Sequence, residues 1–246
     1  MNREHGQDAA AIRCEWGLDG ARAIAVGADI VVVIDVLSFT TSLCVALERG
    51  ITVFPYRWRD ESAQTFAREH DAHLAVGRRA ARPGQVSLSP STIRAATGLR
   101  RLVLPSPNGS TIVHELAGGR ATVLAASLRN APAVAAWITA RSEPGTVVAV
   151  IPAGERWPEG GLRPAVEDLW GAGAVIDGLS GAPSPEAIVA RDAWRAVSAT
   201  VRASLRDCAS GRELIGIGFG DDVEVAAEVG ATDRVPVLGH GAFRAG

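Results

Sequence analysis

Apolar residues gather along the chain in two alternating patterns. Short β-branched runs, apolar at successive positions, occupy Ile30–Asp35, Thr52–Tyr56, His73–Val76, Leu102–Leu104, Thr122–Ala125 and Thr146–Ile151. Between them lie alanine-rich stretches with helical spacing: Thr40–Arg49, Glu61–Glu69, Ser110–Ala117, Ala131–Arg141 and Arg163–Leu179. A strand that is apolar throughout must be covered on both faces, as in a parallel sheet flanked by helices. The alternation predicts an α/β fold, a three-layer α/β/α sandwich around a mainly parallel sheet with room for mixed pairing.

The tail changes character. Ser184–Ala209 reads as one long helix opened by Ser184-Pro185-Glu186, a cap followed by proline in the first turn. Short helices around Arg212–Ile215 and Asp221–Val229 follow, and a last strand at Arg234–Leu238 closes the chain. No low-complexity linker interrupts the pattern, so the expectation is one domain over 1–246, mostly helical from about residue 184.

Composition narrows the class. With 246 residues and 47% hydrophobic content, the chain has ample material for a buried core. A net charge of -2 gives no basic field for nucleic acid or an anionic membrane. Apolar runs such as Ala28–Leu37 break at Asp35 and are far too short to span a bilayer. Met1–Asp8 is polar and lacks the apolar core of a signal peptide. Cys14, Cys44 and Cys208 are odd in number and widely spaced, which suits reduced, packed residues rather than a disulfide frame or zinc site. The expected setting is the cytoplasm. All 25 basic residues are arginine, and a compositional bias suffices to explain it. Whatever its cause, the missing lysine excludes a Schiff-base lysine, a Ser-Lys dyad and a P-loop.

Polar residues collect after the predicted strands. Four connections carry them: Asp35–Thr41, Pro105–Thr111, Ala126–Asn130 and Ala153–Arg156. In a parallel sheet these loops share the carboxyl edge, where open α/β sheets bind ligands and helix N-termini favour anions. Taken singly, Ser38, Ser110 and Ser127 are ordinary helix caps. The amides carry more information, because only Asn2, Asn108 and Asn130 occur and two of them fall here. Asp35 ends an apolar strand, where a carboxylate needs a metal, an arginine or backbone donors. Metal binding and capping of the next helix are both open to it. Asp35 with one of Glu155, Glu167 or Asp168 would supply the hard oxygen ligands that magnesium prefers.

Together these loops resemble the 2-phosphosulfolactate phosphatase family, magnesium-dependent α/β hydrolases of a phosphate monoester. The resemblance runs from about Trp16-Gly17 to Val235-Pro236. It is carried by Val32–Leu37 with Thr40-Thr41, by Pro107–Ser110, by Ser127–Ala131, by Ala153–Glu155 with Glu167-Asp168 and Ala172–Ala174, and by the tail segments Gly211–Leu214 and Gly218–Val223. The chain departs from the family pattern at Ser38, at Arg78 and at Ser87-Leu88-Ser89-Pro90, where the family has Gly-Asn-Ser-Pro. Ser38 stands where the family usually has arginine, and Arg78 follows Gly77 where it has glutamate.

The resemblance implies Mg²⁺-assisted hydrolysis of a small acidic phosphate monoester. Catalytic roles fall to Asp35, Glu155, Asn108 and Asn130, with Asp35, Glu167 and Asp168 as metal candidates. Ser38, Thr40, Thr41, Gly109, Ser110, Thr111 and Ser127, with Arg78, Arg129 and Arg156, would hold the substrate anion. The expected partners are that substrate and at most a second copy of the chain, with neither nucleic acid nor membrane. Two rivals stand beside it: an anion-binding homologue without turnover, and a phosphatase for a different small ester.

Overall fold

The computed structural model describes residues 3–57, 60–82 and 84–246. The first half of the chain runs β1 (Ile12–Cys14), α1 (Gly17–Ile24), β2 (Ile30–Ile34), α2 (Phe39–Glu48), β3 (Thr52–Tyr56), α3 (Glu61–Glu69), β4 (His73–Leu74), α4 (Pro90–Ala95), β5 (Arg101–Pro105) and α5 (Gly109–Leu116). The second half runs β6 (Thr122–Ala126), α6 (Ala131–Thr139), β7 (Val148–Pro152), β8 (Glu155–Arg156), β9 (Leu162–Arg163), α7 (Val166–Asp177), α8 (Pro185–Val197), α9 (Val201–Asp207), α10 (Ala209–Gly216), α11 (Gly220–Ala226), β10 (Pro236–Gly239) and β11 (Ala242–Ala245).

Nine of the strands form one sheet in the order β1-β7-β2-β6-β10-β11-β3-β5-β4, among the described residues. β1, β7, β2 and β6 pair in parallel, and so do β3, β5 and β4. The β10–β11 hairpin joins these two blocks antiparallel, touching β6 through Val237↔Leu124 and β3 through Phe243↔Val53. The sheet is therefore mainly parallel with a mixed seam. One paired residue joins the hairpin to its neighbour on either side, and both blocks contribute to one core.

Side-chain alternation along β2 builds the layers. Val32 and Ile34 pack with Trp170, Val175 and Ala190 from α7 and α8. Val31 and Val33 face the other way, onto Phe39, Leu43 and Ile112 of α2 and α5. Each fully buried Val or Ile stabilises by about 1.5–3 kcal/mol, so β2, buried at all five positions, is a firm platform for the residues that follow it. α7 lies close on it: a Cβ on Gly171 would stand 2.7 Å from Ile34 and 2.8 Å from Val36.

The long helix expected over Ser184–Ala209 is broken. α8 stops at Val197, a 3-10 turn covers Ser198–Thr200, and α9 ends before Cys208, which is extended. The cause is local. Ser198 and Thr200 hydroxyls donate to the carbonyls of Arg195 and Val197, competing with the helix ladder. The helix expected from Arg163 begins at Val166 instead, because Leu162-Arg163 pair with Glu155-Arg156 in the short β8–β9 hairpin. β1, α1, α4, β8, β9 and β11 lie outside the elements that the hydrophobic pattern predicts, and the last strand is β11 rather than the one expected over 234–238. No helix among the described residues is long and apolar enough to cross a membrane.

Candidate active site

β2 delivers Asp35 to the edge of the sheet. Its backbone is locked by Thr40, whose Oγ1 accepts the Asp35 N–H at 3.0 Å and donates to the Asp35 carbonyl at 2.7 Å. The carboxylate accepts the Phe39 N–H at 3.0 Å on one oxygen and the Gly109 N–H at 3.0 Å on the other. Position 109 must be glycine for this approach, since a Cβ there would sit 2.5 Å from the Phe39 ring and 2.8 Å from Asp35 Oδ2. Asp35 thus caps α2 and also ties the end of β2 to the start of α5.

Asp35 opens onto a cleft of about 500 Å³, together with Ser38, Arg78, Ser106, Asn108 and Glu155. Leu37, Leu88, Leu214 and Ile217 give it an apolar wall. A smaller cavity of about 240 Å³, with Trp16 and Arg156 in its lining, adjoins it and shares Asn108 and Glu155. The Asn108 amide donates to Glu155 Oε2 at 2.8 Å, so this pair stands between the two cavities.

Acidic groups dominate the electrostatics. Burial, then the charges of Asp35 and Glu167, push Glu155 up to about 7, and the Asn108 hydrogen bond only partly opposes this. Burial also raises Asp35, against the lowering effect of the Phe39 and Gly109 N–H groups and the Arg78 charge. Asp168 is driven well above the carboxylate range, by burial first and then by Asp35 and Glu167. Carboxyl groups crowded and buried in this way favour protons or a cation.

Two arginines, Arg78 and Arg79, line the cleft, and Arg78 is the one tied to its polar side chains. The Arg78 Nε donates to Asp222 Oδ2 at 3.1 Å, and its Nη2 donates to Ser38 Oγ. Asp222, fully buried on α11, also accepts from the Ser89 hydroxyl at 2.6 Å and the Ser91 hydroxyl at 2.8 Å. The guanidinium therefore meets Ser38, the position at which the resemblance leads to the expectation of an arginine.

Other expected site residues lie elsewhere. The loop after β6 does not line the cleft. Asn130 accepts the Ser127 N–H and donates to the carbonyls of Ala125 and Arg234. Arg129, 2% exposed, pairs with Glu48 at 2.7 Å and with Glu228, and donates to the Val225 carbonyl. The Ser127 hydroxyl lies against Cys44 Sγ and accepts the Arg129 N–H. These are structural clasps. The hydroxyls of Thr41, Ser110 and Thr111 are likewise occupied, donating to the carbonyls of Val36, Leu104 and Pro107. Arg156 is exposed on the β8–β9 hairpin and borders only the smaller cavity.

Glu167 and Asp168 lie buried at the start of α7 and do not line the cleft. Both Asp168 oxygens hold backbone, Oδ1 the Val36 N–H at 2.7 Å and Oδ2 the Gly154 N–H at 2.9 Å. Among the described residues no three acidic, histidine or cysteine side chains form a metal cage. Ser106 and Asp222 join the site from outside the set expected from sequence, Ser106 on the cleft wall and Asp222 behind Arg78. Ser106 was within reach of sequence reasoning, lying in the Pro105–Thr111 loop, whereas nothing local marks Asp222 as the partner of a residue 144 positions away.

A family model described as 2-phosphosulpholactate phosphatase matches residues 22–241. A probable 2-phosphosulfolactate phosphatase of Thermus thermophilus is 33% identical over 221 residues, covering 85% of this chain and 88% of the relative. The 2-phosphosulfolactate phosphatase of Methanothermobacter thermautotrophicus is 30% identical, covering 87% and 89%. A probable 2-phosphosulfolactate phosphatase of Symbiobacterium thermophilum is 29% identical, covering 86% and 92%. The family match runs from the last turn of α1 to the turn of the closing hairpin, taking in every strand of the sheet from β2 to β10, and the chain belongs to the 2-phosphosulpholactate phosphatase family.

Proposed function

We propose that the cleft hydrolyses a small phosphate monoester that carries a second acidic group, with Mg²⁺ as cofactor. The observation that carries this is Glu155, held near neutral pKa between Asp35 and the Asn108 amide in a cleft that also holds Arg78. The names of the relatives, 2-phosphosulfolactate phosphatase, agree with such a substrate.

In the reaction, water attacks phosphorus, the phosphorus–oxygen bond to the organic part breaks, and the leaving oxygen takes a proton. Glu155 is the group suited to hold that proton, since a general acid–base works best with a pKa near the operating pH. Asn108 orients Glu155 through its amide. Arg78 meets the anionic substrate from the opposite element, the loop before α4.

The donor set fits a hard cation. Asp35 is the carboxylate that would hold it: Oδ1 accepts only the Phe39 N–H and keeps a lone pair, while Oδ2 accepts both the Gly109 N–H and the Ser106 hydroxyl. Magnesium often takes only one or two protein carboxylates and completes its shell with water and substrate phosphate, so the absence of a three-acid cage is compatible with it. When bound, it neutralises phosphate charge and lowers the pKa of its water. Glu167 and Asp168 serve behind the cleft, one as a nearby charge and the other as a clasp between the turns at Val36 and Gly154.

Phosphate release from a panel of phosphorylated hydroxy acids, with Mg²⁺ and with chelator, tests this directly. Metal-dependent release is expected. Binding of the same esters without any release under either condition would make the protein an anion-binding homologue and overturn the proposal.

A further inference from the structure

Arg78 and Asp222 form a unit that the catalytic chemistry above does not require. A buried carboxylate with an arginine is costly unless every lone pair and proton finds a partner, and here the partners are supplied. Ser89 and Ser91 donate to one Asp222 oxygen, and the Arg78 Nε donates to the other. The Phe219 ring lies 6.0 Å from the guanidinium carbon, a further restraint on its plane. Nη2 is directed to Ser38, and Nη1 has no hydrogen-bond partner among the described residues. One edge of the guanidinium is thus anchored in protein while the rest borders the cleft beside Asp35 and Ser106.

We infer that Arg78 reads the second acidic group of the substrate, and that Asp222, with Ser89 and Ser91, is the positioning residue that aims it. The inference rests on the phosphatase proposal for its substrate class but adds a specificity determinant to it. The geometry supplies the reason. A free arginine side chain would sample many rotamers, and pinning Nε fixes the fork that a carboxylate or sulfonate needs. Contact with Ser38 also means that a longer cationic side chain at position 38 would start from the place that the Arg78 fork now fills.

The test compares two esters, 2-phosphoglycolate, which carries a carboxylate, and phenyl phosphate, which does not. In Asp222→Asn, KM for 2-phosphoglycolate is expected to rise about tenfold or more with kcat within about threefold, the mark of lost ground-state binding. Phenyl phosphate is expected to change far less. Arg78→Lys, which keeps the charge and loses the fork, should show the same split if Asp222→Asn folds poorly. Adding Ser38→Arg to Arg78→Ala should restore preference for the carboxylated ester.

Calorimetric binding of both esters separates this inference from the phosphatase proposal. If wild type releases no phosphate but binds 2-phosphoglycolate better than phenyl phosphate, and Arg78→Lys loses that preference, only the catalytic proposal fails. Equal losses for both esters in Asp222→Asn and Arg78→Lys would reduce the pair to a structural role and overturn the inference. Retained preference in Arg78→Ala would do the same.

Discussion

The loop after β5 and the loop after β6 are close relatives in composition. Each offers serine and asparagine at a strand end, and in each the asparagine occupies the cap position of the following helix. Their fates differ. Asn108 is half-buried and hands its amide to Glu155 across a cavity, with Ser106 on the cavity wall beside it. Asn130 is wholly buried and has its oxygen on the Ser127 N–H and its nitrogen on two carbonyls. Hydrogen-bonding capacity left over at a cavity distinguishes a site loop from a clasp, and position at the carboxyl edge alone does not.

The largest expected effect falls on the cleft side. Asp35→Asn preserves shape and removes the charge that faces the cleft, so kcat/KM should fall by about 10³, the scale of a lost electrostatic contribution to a transition state. The fold should survive, because the Asn side chain can still accept one of the two backbone N–H groups. Phosphate release and a thermal melt on the same sample check both halves. Activity above a tenth of wild type would remove Asp35 from the centre of the site.

On the clasp side the expected loss is in stability. Arg129→Met keeps the apolar stem but leaves Glu48 and Glu228 without their shared cation. No buried charge is stranded, because both glutamates are partly exposed and Glu228 keeps Arg94 at 2.8 Å, so the expected loss is about 1–3 kcal/mol, the scale of lost charge-assisted hydrogen bonds. Denaturant unfolding should show that loss, while kcat/KM per folded molecule stays within about threefold. A selective loss of turnover with normal stability would return the 127–130 loop to the site.

The difference between these loops was invisible in sequence for a physical reason. Strand and helix periods are local, and β2, β3, β6, α3 and α5 appear within a residue or two of where the apolar pattern places them. β1 is three residues long, β8 and β9 are two each, and no period is readable in so few positions. The strand-end loops lead to the expectation that Asp35, Asn108, Asn130 and one of Glu167 or Asp168 meet in one cleft; Asp35 and Asn108 line it, with Glu155, while Asn130, Glu167 and Asp168 do not. What fills a side chain's hydrogen-bonding capacity is not local. Asn130 is completed by the Arg234 carbonyl and Arg129 by Glu48 and Glu228, partners that only the folded chain brings near. Arg78 is the converse case, placed in the cleft by an aspartate from the far end of the chain.

Glu155 gives the comparison a pH signature. Its pKa is raised from the usual 4.5 to about 7, so the folded protein keeps a proton that the unfolded chain releases. Its contribution to stability is therefore complete below pH 4.5, declines between about 4.5 and 7, and is flat above. By linkage the decline amounts to about 3 kcal/mol at most without metal. Glu155→Gln should make the fall of unfolding free energy with pH shallower in that window, with the raised Asp35 and Asp168 supplying what slope remains, and Arg129→Met should leave the slope in place. An unchanged slope in Glu155→Gln would mean that Glu155 titrates like an exposed carboxylate, and its role as proton carrier would go with it.

The smallest expected effect is the sharpest probe, because it lies within the cleft-side loop itself. Thr111 borders the smaller cavity, yet its hydroxyl donates to the Pro107 carbonyl at 2.8 Å, as a clasp residue would. Thr111→Val keeps the shape and removes one hydrogen bond of modest net worth, about 1 kcal/mol in stability. If satisfied groups do not bind substrate, KM and kcat should each stay within about twofold of wild type. A tenfold rise in KM would show that a hydroxyl already bonded to its own backbone still holds the anion. The distinction drawn between Asn108 and Asn130 would then fail where it is easiest to measure, and Ser110, bonded in the same way to Leu104, would have to rejoin the substrate-binding set.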